Sequence, residues 1–118
     1  MITFNELKIT SDNKNLIIDV SVKEDSYYKN VYLDSITIDN QNSYIDNGPS
    51  EKAIYSYNAE GNLKNVRLVI DYREIIDGIN NNILFVYAKT KGVPASDTPC
   101  GMDNITTIGV AYNAYPLY

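Results

Sequence analysis

The chain has 118 residues, the length of one domain, and a domain this size buries roughly two-thirds of the surface its unfolded form exposes, so it needs no metal or disulfide staple. It is 44% apolar, with 11 Tyr, 2 Phe and no Trp, which excludes a disordered chain and favours pleated, half-buried strands. Net charge is −5, His is absent and Cys100 is the single cysteine, which excludes a basic nucleic-acid surface, imidazole-dependent nucleophilic catalysis, His/Cys zinc sites and an intrachain disulfide.

The first residues, Met1 to Glu6, lack the basic stretch and apolar run of a signal peptide. Ile2 to Ile9 is predicted to be a strand, and the turn cluster Ser11 to Asn15 joins it to a second strand, Leu16 to Val22. In the second strand Leu16, Ile18, Val20 and Val22 alternate with Ile17, Asp19 and Ser21, so one face meets a core. Val31 to Asp39 is a third strand with a break in its alternation. Val31 and Leu33 fall on one face, while Ile36 and Ile38 fall on the other. A bulge near Asp34-Ser35 would bring both pairs together; the alternative is a strand that bends from one sheet to the other.

Asn40 to Glu51 is polar, contains Gly48-Pro49 and reads as a loop. Ala53 to Tyr57 is a short strand, and Asn58 to Asn62 turns it back into a strand at Val66 to Arg73. Ile75 to Gly78 fits a single helical turn, and Asn80 to Asn82 leads into a strand at Ile83 to Thr90. A long loop, Lys91 to Asn104, precedes the last strand, Ile105 to Asn113. The fold class is therefore all-β: one domain over residues 1–118, a seven-stranded antiparallel β-sandwich of immunoglobulin-like or fibronectin-like Greek-key type. The Cys pair and core Trp of antibody domains are missing, and a jelly roll or another small sandwich fits the same pattern. The longest uncharged stretch, Asn104 to Tyr118, falls short of the ~20 apolar residues of a membrane-spanning helix.

No catalytic residue, metal ligand or cofactor is assigned. The carboxylates stand singly in turns or at outward strand positions. Asp12-Asn13 and Asp46-Asn47-Gly48 read as turns, because neither matches the calcium-loop spacing. No glycine pattern forms a phosphate cradle, and no small-molecule substrate is implied.

Three features exceed what a plain sandwich requires. The strand from Ile83 to Ala88 is apolar on both faces: Ile83, Phe85 and Tyr87 on one, Leu84, Val86 and Ala88 on the other. An outer face meeting water should be polar, so either a loop of the same chain or a neighbouring subunit covers it. Leu84 and Val86 are assigned to the subunit contact. The loop after this strand is stiffened by Pro94 and Pro99 and carries Val93, Cys100 and Met102. It reads as a docking element, with a self-packed Ω-loop as the alternative. The C-terminal segment, with Tyr115, Leu117 and Tyr118, is apolar and aromatic. It is expected to pack on the sandwich or on a neighbour.

Several stretches carry a family resemblance: Met1-Ile-Thr-Phe-Asn-Glu-Leu-Lys-Ile, Leu16-Ile-Ile-Asp-Val-Ser-Val, Tyr27-Tyr-Lys-Asn-Val-Tyr-Leu-Asp-Ser-Ile, Phe85-Val-Tyr-Ala-Lys-Thr-Lys-Gly and, most specific, Pro94-Ala-Ser-Asp-Thr-Pro-Cys-Gly-Met-Asp103. Across essentially its whole length the chain resembles small virion proteins of the crAss-like bacteriophages. The resemblance implies a structural component of the connector, neck or tail. It would form a ring with copies of itself and contact neighbouring virion proteins, with no enzyme activity and no cofactor. It also implies a virion location, after synthesis and assembly in the bacterial host cytoplasm. A capsid decoration protein is an alternative. So is a glycan-binding module of a fibre or spike, in which Tyr27, Tyr28, Tyr44, Tyr55 and Tyr57 would stack on sugar rings; cross-strand packing is the plainer reading of those tyrosines.

Overall fold

The computed structural model describes residues 2–12, 14–24, 27–38, 53–71, 83–94 and 106–116, the residues 83 and 106–116 by their backbone. Its strands are β1 (Ile2–Ile9), β2 (Asn15–Val22), β3 (Tyr28–Ile38), β4 (Ala53–Tyr57), β5 (Leu63–Asp71), β6 (Ile83–Pro94) and β7 (Thr106–Pro116). No helix occurs among the described residues. The predicted loop at Asn40 to Glu51, the helical turn at Ile75 to Gly78 and the segment from residue 95 to 105 lie outside them.

Two antiparallel sheets pack face to face. One has the order β1-β2-β5-β4 and the other β3-β6-β7. β3 lies across β5 and β2, and β7 lies across β1. The core between the sheets is built by alternation. Leu16, Ile18 and Val20 on β2 and Val66, Leu68 and Ile70 on β5 face Val31, Leu33, Ile36 and Ile38 on β3 and Leu84, Val86 and Ala88 on β6, all buried. Each such Val, Leu or Ile side chain contributes about 1.5–3 kcal/mol on leaving water.

The break of alternation in the third strand is resolved by a bulge. Leu33 pairs with Thr90 and Ser35 with Lys89, so Asp34 is an extra residue and both apolar pairs of β3 reach the core. The same device recurs. In β1, Phe4 pairs with Val20 and Glu6 with Asp19, leaving Asn5 unmatched, so Ile2, Phe4, Leu7 and Ile9 all pack against the core. In β5, Lys64 is the extra residue between Leu63 and Asn65. In β7, Ile108 is extra between the partners of Thr90 and Lys91. Asp34 and Ile108 therefore flank the same residue of β6, Thr90, from its two sides.

Two strands run further than the sequence suggests. β6 continues through Lys91 to Pro94, where a loop was expected, because β3 and β7 both supply partners there. Gly92 and Pro94 are poor strand formers, but Gly92 stands opposite the irregular step between Lys29 and Tyr32, and Pro94 is the last strand residue, where its missing N–H costs little. Asn30, in that step, has φ 55°, a left-handed conformation that Asn tolerates. β7 likewise runs to Pro116 rather than Asn113. The turns match their composition. Asp12 accepts the backbone N–H of Lys14, and Asn58 accepts those of Glu60 and Asn62 around Gly61, whose φ is 84°.

Candidate assembly surfaces

The structure redistributes the residues assigned to subunit contact. Leu84 and Val86 are fully buried in the sandwich core, so no partner can reach them. β6 does carry apolar residues on both faces, but Phe85 and Tyr87 lie on the outward one and are half-buried. The faces were misassigned because alternation alone gives two faces without saying which points inward. Val93 is a strand residue only 8% exposed, and Pro94 ends the strand. Tyr115 stands in β7 opposite Leu84, so through residue 116 the C-terminal segment packs on its own sheet. Pro99, Cys100, Met102, Leu117, Tyr118 and Tyr44 lie outside the described residues.

The outward face of the four-stranded sheet carries an internally paired polar cluster beside the apolar Ile17, Val69 and Ile54. One guanidinium nitrogen of Arg67 on β5 donates to Glu6 Oε1 of β1 at 2.8 Å and to Asp19 Oδ2 of β2 at 3.2 Å. Asp19 Oδ1 also accepts from Asn5 at 3.0 Å and Asn65 at 2.8 Å. Lys8 adds a 3.3 Å ion pair with Glu6. The Arg67 hydrogen bond, with that of Lys8, holds the Glu6 carboxyl below its ordinary pKa. Partial burial pushes the Asp19 carboxyl up, but the hydrogen bonds from Asn5, Asn65 and Arg67 outweigh it and the net shift is downward. The two carboxylates in turn raise the pKa of Arg67. Sequence reading places Asp19 at an outward strand position and gives Arg67 no partner. Their pairing depends on strand register, which no local pattern reveals.

On the other sheet, Asp34, the bulge residue, pairs with Lys91 at 3.6 Å. Where the two sheets meet, the Lys64 ammonium bonds to the Val31 carbonyl of β3 and to Glu24. The four sheet edges differ in kind. The edge strands β1 and β3 carry charges (Glu6 and Lys8; Lys29 and Asp34) and bulges. The edge strands β4 and β7 carry no charged residue at all. On β4, Ile54 and Tyr57 are each 60% exposed. Of the tyrosines considered for sugar stacking, Tyr28 and Tyr55 pack partly on the core, while Tyr27 and Tyr57 are exposed.

Among the described residues no group of three or more His, Cys, Asp or Glu is placed to hold a metal ion. The features that stand out are faces and edges.

Comparison with known proteins points to the same kind of molecule. The family model for Crassvirus tail hub protein A matches residues 2–118. The chain is also 36% identical over 147 aligned positions to the tail hub protein A of Bacteroides phage crAss001, covering 98% of this chain and 68% of that protein. The alignment is longer than this chain, so the relative carries residues inserted between the matched segments. The chain belongs to the Crassvirus tail hub protein A family and is a virion component of a crAss-like phage.

Proposed function

We propose that the chain is a structural subunit of the phage tail hub, a β-sandwich that works by contact with copies of itself in a ring and with neighbouring virion proteins, and that it performs no catalytic step. Family membership over residues 2–118 is the observation that carries this reading. The absence of His from the sequence supports the non-catalytic part, since it removes the commonest general base. The sandwich is also read as one immunoglobulin-like domain over residues 1–118. Lettered A to G in chain order, its strands fall into A-B-E-D and C-F-G, the order of a constant-type domain.

Three stretches are assigned to contacts with neighbours: the segment with Pro99, Cys100 and Met102, the outward residues Phe85 and Tyr87, and the terminal Leu117 and Tyr118. The segment between β6 and β7 pairs proline with apolar side chains that are costly to hold in water. Replacing residues 95–105 by an Asn-Gly turn keeps both strands intact. The variant is expected to fold with an unchanged circular dichroism spectrum and to be missing from purified particles. Normal incorporation of that variant would refute the docking role. A density map of the intact particle tests the reading as a whole, since the chain must occupy a repeated position at the tail hub. The alternative of a sugar-binding module is weaker, because Tyr28 and Tyr55 are already engaged by the core.

A further inference from the structure

We infer that copies of this chain join edge to edge, β7 of one copy pairing with β4 of the next, so that a sheet continues across the subunit boundary. The inference rests on the self-assembly part of the proposed function and names the surfaces that carry it.

An edge strand presents a row of backbone N–H and C=O groups that another strand can pair, and proteins blunt such edges with charges, bulges and short length. Two edges here are blunted in that way: β1 has a bulge at Asn5 with Glu6 and Lys8 beside it, and β3 has two irregular steps with Lys29 and Asp34. The other two lack charge, although β7 has its own bulge at Ile108 and β4 is only five residues long. β7 pairs in unbroken register from Gly109 to Pro116 and has no charged residue. β4 is short, but it too is uncharged and displays Ile54 and Tyr57. What fits such edges is an extended, uncharged strand, because only backbone matches backbone along a row. This chain supplies two of them.

Their placement decides between pairing modes. β7 lies across β1 at one side of the sandwich, whereas β4 lies beyond β5, the strand that β3 covers, at the other. Two different edges on opposite sides give a head-to-tail contact, the kind that repeats around a ring. A chain of net charge −5 repels its copies, and a seam formed by its two uncharged edges keeps that repulsion away from the contact.

The test uses the 118-residue chain and two double variants. Ile54→Lys with Tyr57→Lys charges the β4 edge. Val110→Lys with Ala114→Lys charges β7 at the register positions opposite Lys89 and Phe85. Sedimentation and native mass spectrometry are expected to show wild-type oligomers and at least about tenfold weaker self-association for each variant, or ~1.4 kcal/mol. Mixing the two variants is expected to restore a one-to-one dimer and nothing larger, because each keeps one good edge. A monomeric wild type overturns the inference. So does a variant that still dimerises with itself, or oligomers that survive both variants; this last result leaves self-assembly standing and moves the seam elsewhere. If a variant does not fold, hydrogen exchange of the wild type above and below its association range decides. Protection must rise together in residues 53–57 and 109–116, and a rise confined to β1 or β3 overturns the assignment.

Discussion

Arg67 ties three strands together through Glu6 and Asp19, and that contact makes stability depend on acid. Both carboxyls have lowered pKa values in the folded chain. Their stabilisation is therefore complete above their unfolded values, about 4.3 for Glu and 3.9 for Asp, and is lost as pH falls through the lower folded values. The melting temperature should hold nearly constant from neutral pH to about pH 5 and drop below about pH 4. Arg67→Met should make that acid drop shallower, as thermal unfolding at stepped pH would show. Core residues respond differently. Ile36 is fully buried beside the bulge, and Ile36→Ala should cost about 2–5 kcal/mol in chemical denaturation at any pH.

Bulges govern the fold at the level of the strand. Deleting Asp34 forces a choice on β3: either Val31 and Leu33 or Ile36 and Ile38 turn towards water. The deletion should remove several kcal/mol at about 1.5–3 kcal/mol per exposed side chain. Asp34→Ala keeps the register and loses only a half-exposed ion pair, a change of about 1 kcal/mol or less. Equilibrium unfolding of the two variants separates register from charge. The Asp34 bulge was legible in the sequence because four large apolar residues broke parity at one place. The same rule read on Ile2, Phe4, Leu7 and Ile9 finds the bulge at Asn5, and on Leu63 and Val66 the one at Lys64. The extension of β6 was not legible. Gly92 and Pro94 are turn residues by propensity, and only the partners that β3 and β7 bring make them strand.

For the whole molecule, the sandwich class followed from alternation and turn spacing, but the direction of each face did not. Leu84 and Val86 looked like contact residues because β6 is apolar on both sides, and only packing against the other sheet shows which side is the core. β6 is the middle strand of its sheet, and β7 satisfies one whole side of it. Ending the chain after residue 105 should therefore open the β6 ladder and yield insoluble protein with little β-signal in circular dichroism.

The paired bulges around Thr90 also set the shape of the three-stranded sheet. At that level β3 and β7 each carry one residue more than the strand between them. A surface whose two rims are longer than its midline is a saddle, and the added twist of bulged strands deepens it. A flat or cylindrical neighbour laid on a saddle touches along a line instead of a plate. A neighbour that covers the outward Phe85 and Tyr87 at the middle of this sheet must therefore be shaped to the saddle rather than flat.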